Sequence, residues 1–120
     1  MKDYCHYLKI FLENVLITER TKYEDRASVI AHNRATDKYR NAAYTIGEAF
    51  PERINDFADL LQSDHICVRL SCAACIVELM PADPALKTKA IQQVKAEIEK
   101  GTASPKYGWI LWLKKNEHGF

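Results

Sequence analysis

Apolar residues recur every three or four positions through most of this chain, which is the spacing of one face of an α-helix. The first such segment runs from about Asp3 to Thr18 and a second from roughly Glu24 to Ala49, where Asn33 is a candidate break. The apolar face of the first segment consists of Tyr4, Leu8, Phe11, Leu12 and Val15. No run alternates apolar and polar residues as a β-strand does, so the pattern predicts an all-α protein.

Prolines and a glycine divide the second half of the chain into further helices. Pro51 suits the first turn of a helix because the N–H that proline lacks is not needed there. The stretch from Met80 to Pro84 stops one helix and starts another, which Gly101 ends. A last helix follows Pro105. For 120 residues, we predict a single domain, 1–120, of six or seven helices joined by short turns.

Three of the four cysteines lie between Leu60 and Met80, a stretch dense enough to suggest a metal or redox site. On a helix, Cys72 and Cys75 fall within the main apolar arc, and Cys67 is rotated away from them by about 140° and 80°. This arrangement favours a buried helix that uses cysteine as a small apolar residue.

The other two interpretations of the cysteines lack parts of their usual sites. A zinc site needs a second pair of ligands, and Cys5 with its neighbour His6 does not have the spacing for one. A redox Cys-x-x-Cys normally lies at the start of a helix, whereas Cys72 lies in the middle. We expect reduced thiols in the core, with a metal site and a redox pair as the alternatives.

Arg69 lies between two apolar arcs of the same helix. A charge in that position is costly unless it is paired. Asp64, at the entrance of the helix, is the expected local partner, and an acid from an adjacent turn is the alternative.

The order of a helix ending in "LL", a turn with aspartate, "VR" and the small-residue run "SCAACIVEL" resembles a HEAT-type repeat. The resemblance implies that Asp64 and Arg69 tie successive turns together while small residues let antiparallel helices stack closely. Only Pro51 to Met80 shows the pattern plainly, so the flanking helix pairs would be degenerate terminal units of a HEAT-like stack.

Three longer stretches extend the resemblance: "HNRATDKYRNAAYTIGEAF", "LLQSDHICVRLSCAACIVELMPADP" and "YGWILWLKKNEHG". Together, over about Asn33 to Gly119, they are similar to a small bacterial family of HEAT-like domains of unknown function. That family resembles the immunity proteins encoded beside polymorphic or contact-dependent-inhibition toxins. The resemblance implies a bacterial protein that binds the C-terminal domain of a toxin, and we expect it to be a cytoplasmic monomer.

Composition and motifs exclude several classes of function. The apolar content of 48% and the charged content of 28% are those of a soluble globular protein. Lys9 and Glu13 interrupt the N-terminal apolar stretch, so we expect no secretory leader and no membrane span. A net charge of +1 does not suit direct binding of nucleic acid. Nucleophile elbows, glycine-rich loops and zincin histidine pairs are missing from the sequence, so we expect no enzyme, cofactor or metal.

The charges are unevenly distributed along the chain. Five acids face one base, Arg53, between Ile46 and Asp64, whereas seven lysines and two acids lie between Ala85 and Lys115. A solvated face is the simplest interpretation of the acids, and a docking face for a basic partner is the alternative. The residues predicted to bind a partner, called the acidic surface below, are Glu48, Glu52, Asp56 and Asp59.

Trp109 and Trp112 are three residues apart and share a face of the last helix. We expect them in the core or capping the helical stack. An exposed aromatic anchor is the alternative, since tryptophans are frequent in interface hot spots.

Two hypotheses of function follow from these observations. The first is an immunity protein whose acidic surface covers the active site of a toxin nuclease, because such sites must be basic to hold phosphate. The second is a non-enzymatic helical-repeat scaffold that binds a constitutive cellular partner. A metal- or thiol-dependent protein that uses the cysteine stretch is a third, weaker interpretation.

Overall fold

The computed structural model describes residues 2–22 and 24–117, and over these ranges the chain forms six α-helices. They are α1 (Tyr4–Glu19), α2 (Arg26–Ala49), α3 (Ile54–Ala58), α4 (Ile66–Leu79), α5 (Pro84–Glu99) and α6 (Lys106–Asn116). Two 3-10 turns, Pro51–Arg53 and Asp59–Gln62, flank α3. The described ranges contain no strand, which confirms the all-α prediction. The antiparallel HEAT-like stack stays a prediction.

Aspartate caps begin three of the helices. The carboxylates of Asp3, Asp25 and Asp83 accept hydrogen bonds from backbone N–H groups in the first turns of α1, α2 and α5. This satisfies donors that have no partner within the helix. Helix α2 continues through Asn33, so the candidate break there is wrong. Gly101, with φ +77°, follows α5 in the left-handed conformation that glycine adopts without a steric penalty.

Helix α4 forms the centre of the protein. It packs against α1, α2, α5 and the 3-10 turn Asp59–Gln62, while α1 and α2 pack along each other. Every residue from Leu70 to Val77 is buried, which agrees with a helix that is apolar almost all round. The turn after α4 lies against the end of α2, where a Cβ on Gly47 would be only 3.2 Å from the side chains of Met80 and Pro81.

Aromatic rings join the first three helices. Phe11 of α1 contacts Tyr39 of α2 and Phe57 of α3, with ring centroids 5.6 and 4.9 Å apart, both edge to face. Phe11 and Phe57 are fully buried. Such pairs stabilise a core beyond the area they bury.

Helix α6 lies at the margin of this core. It packs mainly against α5, and none of its residues is fully buried. None of the helices in the described ranges combines the length and the apolar character that crossing a bilayer requires.

We expect Phe57→Ala to lower the free energy of unfolding by about 3–5 kcal/mol, because it leaves a cavity against Phe11. Urea denaturation followed by circular dichroism measures the change. Tyr107→Ala is the matched control, since Tyr107 is 73% exposed, and it should change stability by no more than about 0.5 kcal/mol. Equal losses in the two variants would contradict this description of the core.

Candidate functional site

The acidic surface lies on one continuous segment at the end of α2 and around α3. Glu48 is in the last turn of α2, Asp56 is in α3, and Glu52 and Asp59 are in the flanking 3-10 turns. All four side chains are exposed. The structure therefore presents every residue of the predicted partner-binding face to solvent.

Buried side chains hold the backbone of this segment in place. Ile54, Phe57 and Leu61 alternate with the acids and are at most 6% exposed. The predicted single helix from Pro51 is instead a 3-10 turn, one and a half turns of α-helix and a second 3-10 turn. Its acids nevertheless lie on the solvent side, and Ile54, Phe57 and Leu61 lie in the core.

Arg53 is part of the same surface. Its Nε donates a hydrogen bond of 2.6 Å to Asp56 Oδ2, and its guanidinium carbon lies 4.2 Å from the centroid of the Tyr4 ring. Tyr4 is only 5% exposed, so the ring is a fixed support. Four carboxylates and one guanidinium leave a formal charge of −3 on the surface.

The partly buried charge of α4, on Arg69, is paired across the fold. Arg69 Nε and Nη2 donate to Glu97 Oε1 and Oε2 of α5 at 2.8 and 3.2 Å, and Nη1 donates to the Ser63 carbonyl at 2.8 Å. Glu97 is fully buried, whereas the side chain of Arg69 is 19% exposed. The bidentate geometry is the strong form of this pair.

Other donors complete the coordination of Glu97. Gln93 donates to Oε1 at 3.0 Å, and the hydroxyl of Thr102 donates to Oε2. The hydrogen bonds from Arg69 hold the pKa of Glu97 below its usual value, against the opposing effect of burial. The carboxylate is therefore charged and satisfied within the core.

The expected pairing of Arg69 with Asp64 is not the one that forms. Arg69 takes its partner from α5, and exposed Asp64 acts on it only through the electrostatic effect of a nearby charge. The sequence does indicate that Glu97 is buried. Glu97 comes seven residues after Ala90 and three after Val94, and both of these are core residues. That spacing places it on the buried side of α5.

Cys72 and Cys75 are fully buried, which confirms that they pack in the core. Burial raises the pKa of both thiols, to about 12 for Cys75. Cys67 is half-buried, donates from Sγ to Glu19 Oε2 at 3.4 Å, and has its pKa raised to about 11, chiefly by burial. Thiols with raised pKa values are poor nucleophiles and ligands. Over the described ranges, no three His, Cys, Asp or Glu residues come together as metal ligands.

Trp109 and Trp112 pack against the edge of the core, as expected, and the anchor role stays a prediction. Both are half-buried against the core, with their rings edge to face at 5.6 Å. Trp112 Nε1 donates to Glu78 Oε2 at 3.0 Å, and Arg40 Nη1 lies 3.5 Å from the same oxygen. Glu78 thus connects α6 with α4 and α2.

No protein-family model, curated protein or solved structure matches this chain.

The Arg69–Glu97 pair gives a prediction about stability. Glu97→Leu leaves the guanidinium without its partner and should lower the free energy of unfolding by about 3 kcal/mol. Arg69→Met combined with Glu97→Leu should recover most of that loss, because a buried ion pair can be replaced by apolar residues of similar size. Urea denaturation of the single and double variants measures both changes.

Glu13→Gln is the control for this pair. Glu13 forms an exposed ion pair with Lys9, 3.8 Å apart, and its removal should change stability by no more than about 0.5 kcal/mol. A harmless Glu97→Leu substitution would show that the buried pair is not needed for stability.

The lowered pKa of Glu97 predicts a dependence of stability on pH. In the unfolded chain the carboxyl titrates near 4.5, so the unfolded state binds more protons than the folded state just below that pH. The stabilisation by Glu97 is therefore present above 4.5 and is lost as the pH falls through the folded pKa. The difference in unfolding free energy between wild type and Glu97→Gln should shrink as the pH is lowered from about 6 to about 3, a range that spans the titration of the carboxyl. A difference that is constant or grows on acidification would contradict the assignment.

Proposed function

We propose that this protein is an immunity protein that binds and neutralises a cognate bacterial toxin, a nuclease, by covering its basic active site with the acidic surface. The observation that supports the proposal most is the arrangement of Glu48, Glu52, Asp56 and Asp59. All four are exposed on one segment whose other side is buried. The stretches that resemble immunity proteins include this segment in part.

Charge complementarity gives the surface its role in binding. A nuclease must hold the phosphates of its substrate with cationic groups. A surface with a formal charge of −3 attracts such a site, which accelerates encounter and disfavours partners with negative surfaces. Binding alone prevents the substrate from entering, so the inhibitor needs no chemistry of its own.

A fixed backbone favours tight binding. Phe57 and Leu61 anchor the acidic segment in the core, and Arg53 connects it to the ring of Tyr4 on α1. Little conformational entropy is then lost when the partner docks. We propose that the inhibitor acts in the bacterial cytoplasm as a monomer bound to the C-terminal domain of the toxin.

The direct test is co-expression with the toxin gene expected immediately upstream. Cells that express the toxin together with this protein should survive, and cells that express the toxin alone should not. Unchanged toxicity would exclude the proposal and leave the helical scaffold with a constitutive partner as the function to examine.

Charge reversal tests the part played by the acidic surface. Glu52→Lys with Asp59→Lys should lower the association rate constant for the toxin by about tenfold to a hundredfold at low ionic strength. Stopped-flow measurements at several salt concentrations give the rate and its salt dependence.

The matched control is Glu13→Lys with Glu99→Lys, which makes the same change in net charge on α1 and α5. It should reduce the rate much less, because these exposed acids lie outside the acidic surface. If both double variants slow association equally, only net charge matters and the toxin does not dock at the acidic surface.

A further inference from the structure

A groove separate from the acidic surface opens between the end of α1, the middle of α2, the start of α4 and α6. Its volume is about 810 Å³, within the range of roughly 300–1,000 Å³ typical of ligand sites. Its lining residues come from elements far apart in the sequence, so only the folded chain forms it.

Aromatic side chains form much of the groove wall. Tyr39 of α2 and both tryptophans of the chain, Trp109 and Trp112, line it. Contacts on either side fix these rings, since Tyr39 packs on Phe11 and Trp112 donates to Glu78. Rigid aromatic rings are the groups that receive cationic side chains by cation–π contact.

The groove carries a negative charge, from a single carboxylate among its described lining residues. Glu19, at the end of α1, is the carboxylate of the lining, and the described lining residues include no lysine or arginine. Glu19 is exposed and accepts a hydrogen bond from Cys67. The pKa of Cys67 is raised to about 11, so this thiol is neutral and does not cancel the negative charge of Glu19. His32 also lines the groove, with Nδ1 2.6 Å from the hydroxyl of Thr21.

We propose that this groove receives an arginine side chain of the partner protein, with its guanidinium paired to Glu19 and packed against the rings of Tyr39 and Trp109. Arginine suits the groove because its planar cation binds a carboxylate and stacks on aromatic faces at the same time. The identity of the partner rests on the proposed function, since a nuclease with a basic surface offers such arginines. The groove would then supply an anchor, while the acidic surface supplies long-range attraction.

The tryptophans provide the measurement, because both of the chain's tryptophans line the groove. The probe is a blocked pentapeptide with arginine between pairs of glycines, compared with the same peptide carrying uncharged citrulline. Titration with the arginine peptide should change tryptophan fluorescence saturably, and the citrulline peptide should bind at least about fivefold more weakly.

Glu19→Gln tests the carboxylate. It should weaken binding of the arginine peptide about fivefold to tenfold, since it removes a partly screened ion pair. Glu13→Gln, on the same helix and paired with Lys9, is the control and should bind as wild type does. Equal thermal midpoints for the two variants exclude a loss of fold.

The inference is overturned if the arginine peptide gives no saturable signal, if citrulline binds equally well, or if Glu19→Gln binds as wild type does. Co-expression with the toxin separates this failure from that of the proposed function. If the protein protects cells but does not bind the peptide, the arginine groove is rejected and the proposed inhibitor function stands. If the protein binds the peptide but does not protect cells, the arginine groove stands and the inhibitor function is rejected.

Discussion

The ion pair between Arg69 and Glu97, whose carboxylate is fully buried, holds the central helices of this fold in register. It joins α4, the centre of the core, to α5, and both residues also form hydrogen bonds with segments outside these two helices. Arg69 also donates to the carbonyl of Ser63, directly after the acidic segment. The carbonyl of Glu97 accepts from the N–H groups of Thr102 and Ala103, in the connection that leads to α6. Both proposed binding regions are therefore positioned by contacts that converge on one pair of charges.

The cost of such a pair explains its extra hydrogen bonds. Two charges removed from water are favourable only when donors and acceptors around them are satisfied. Gln93 and Thr102 complete the shell of Glu97, and over the described ranges no buried side-chain nitrogen or oxygen lacks a partner. A network of this kind specifies how α4 and α5 meet, since a shifted helix would leave the charges unpaired.

Local features of this fold could be predicted from the sequence. Periodicity located the helices and placed Cys72 and Cys75 in the core, because the face of a helix depends on residues only a few positions apart. The exposure of the acidic surface agrees with the solvated face expected of its acids. Periodicity can place Glu97 on the buried side of α5, but it cannot show that Glu97 pairs with Arg69, because the two residues lie 28 positions apart. Tertiary packing also decides two other features, the contact of Arg53 with the Tyr4 ring and the groove between α1, α2, α4 and α6. In the sequence, only the pair of tryptophans pointed to the groove.

The acidic surface and the aromatic groove have different roles in the proposed recognition of the partner. The acidic surface acts at a distance and sets the rate of encounter, while an aromatic groove with one carboxylate acts at contact and sets the lifetime of a complex. Titration of the nuclease activity of the purified toxin domain with this protein measures the inhibition directly. We expect activity to fall linearly to background at an equimolar ratio. Full activity at a large excess of the protein would contradict it.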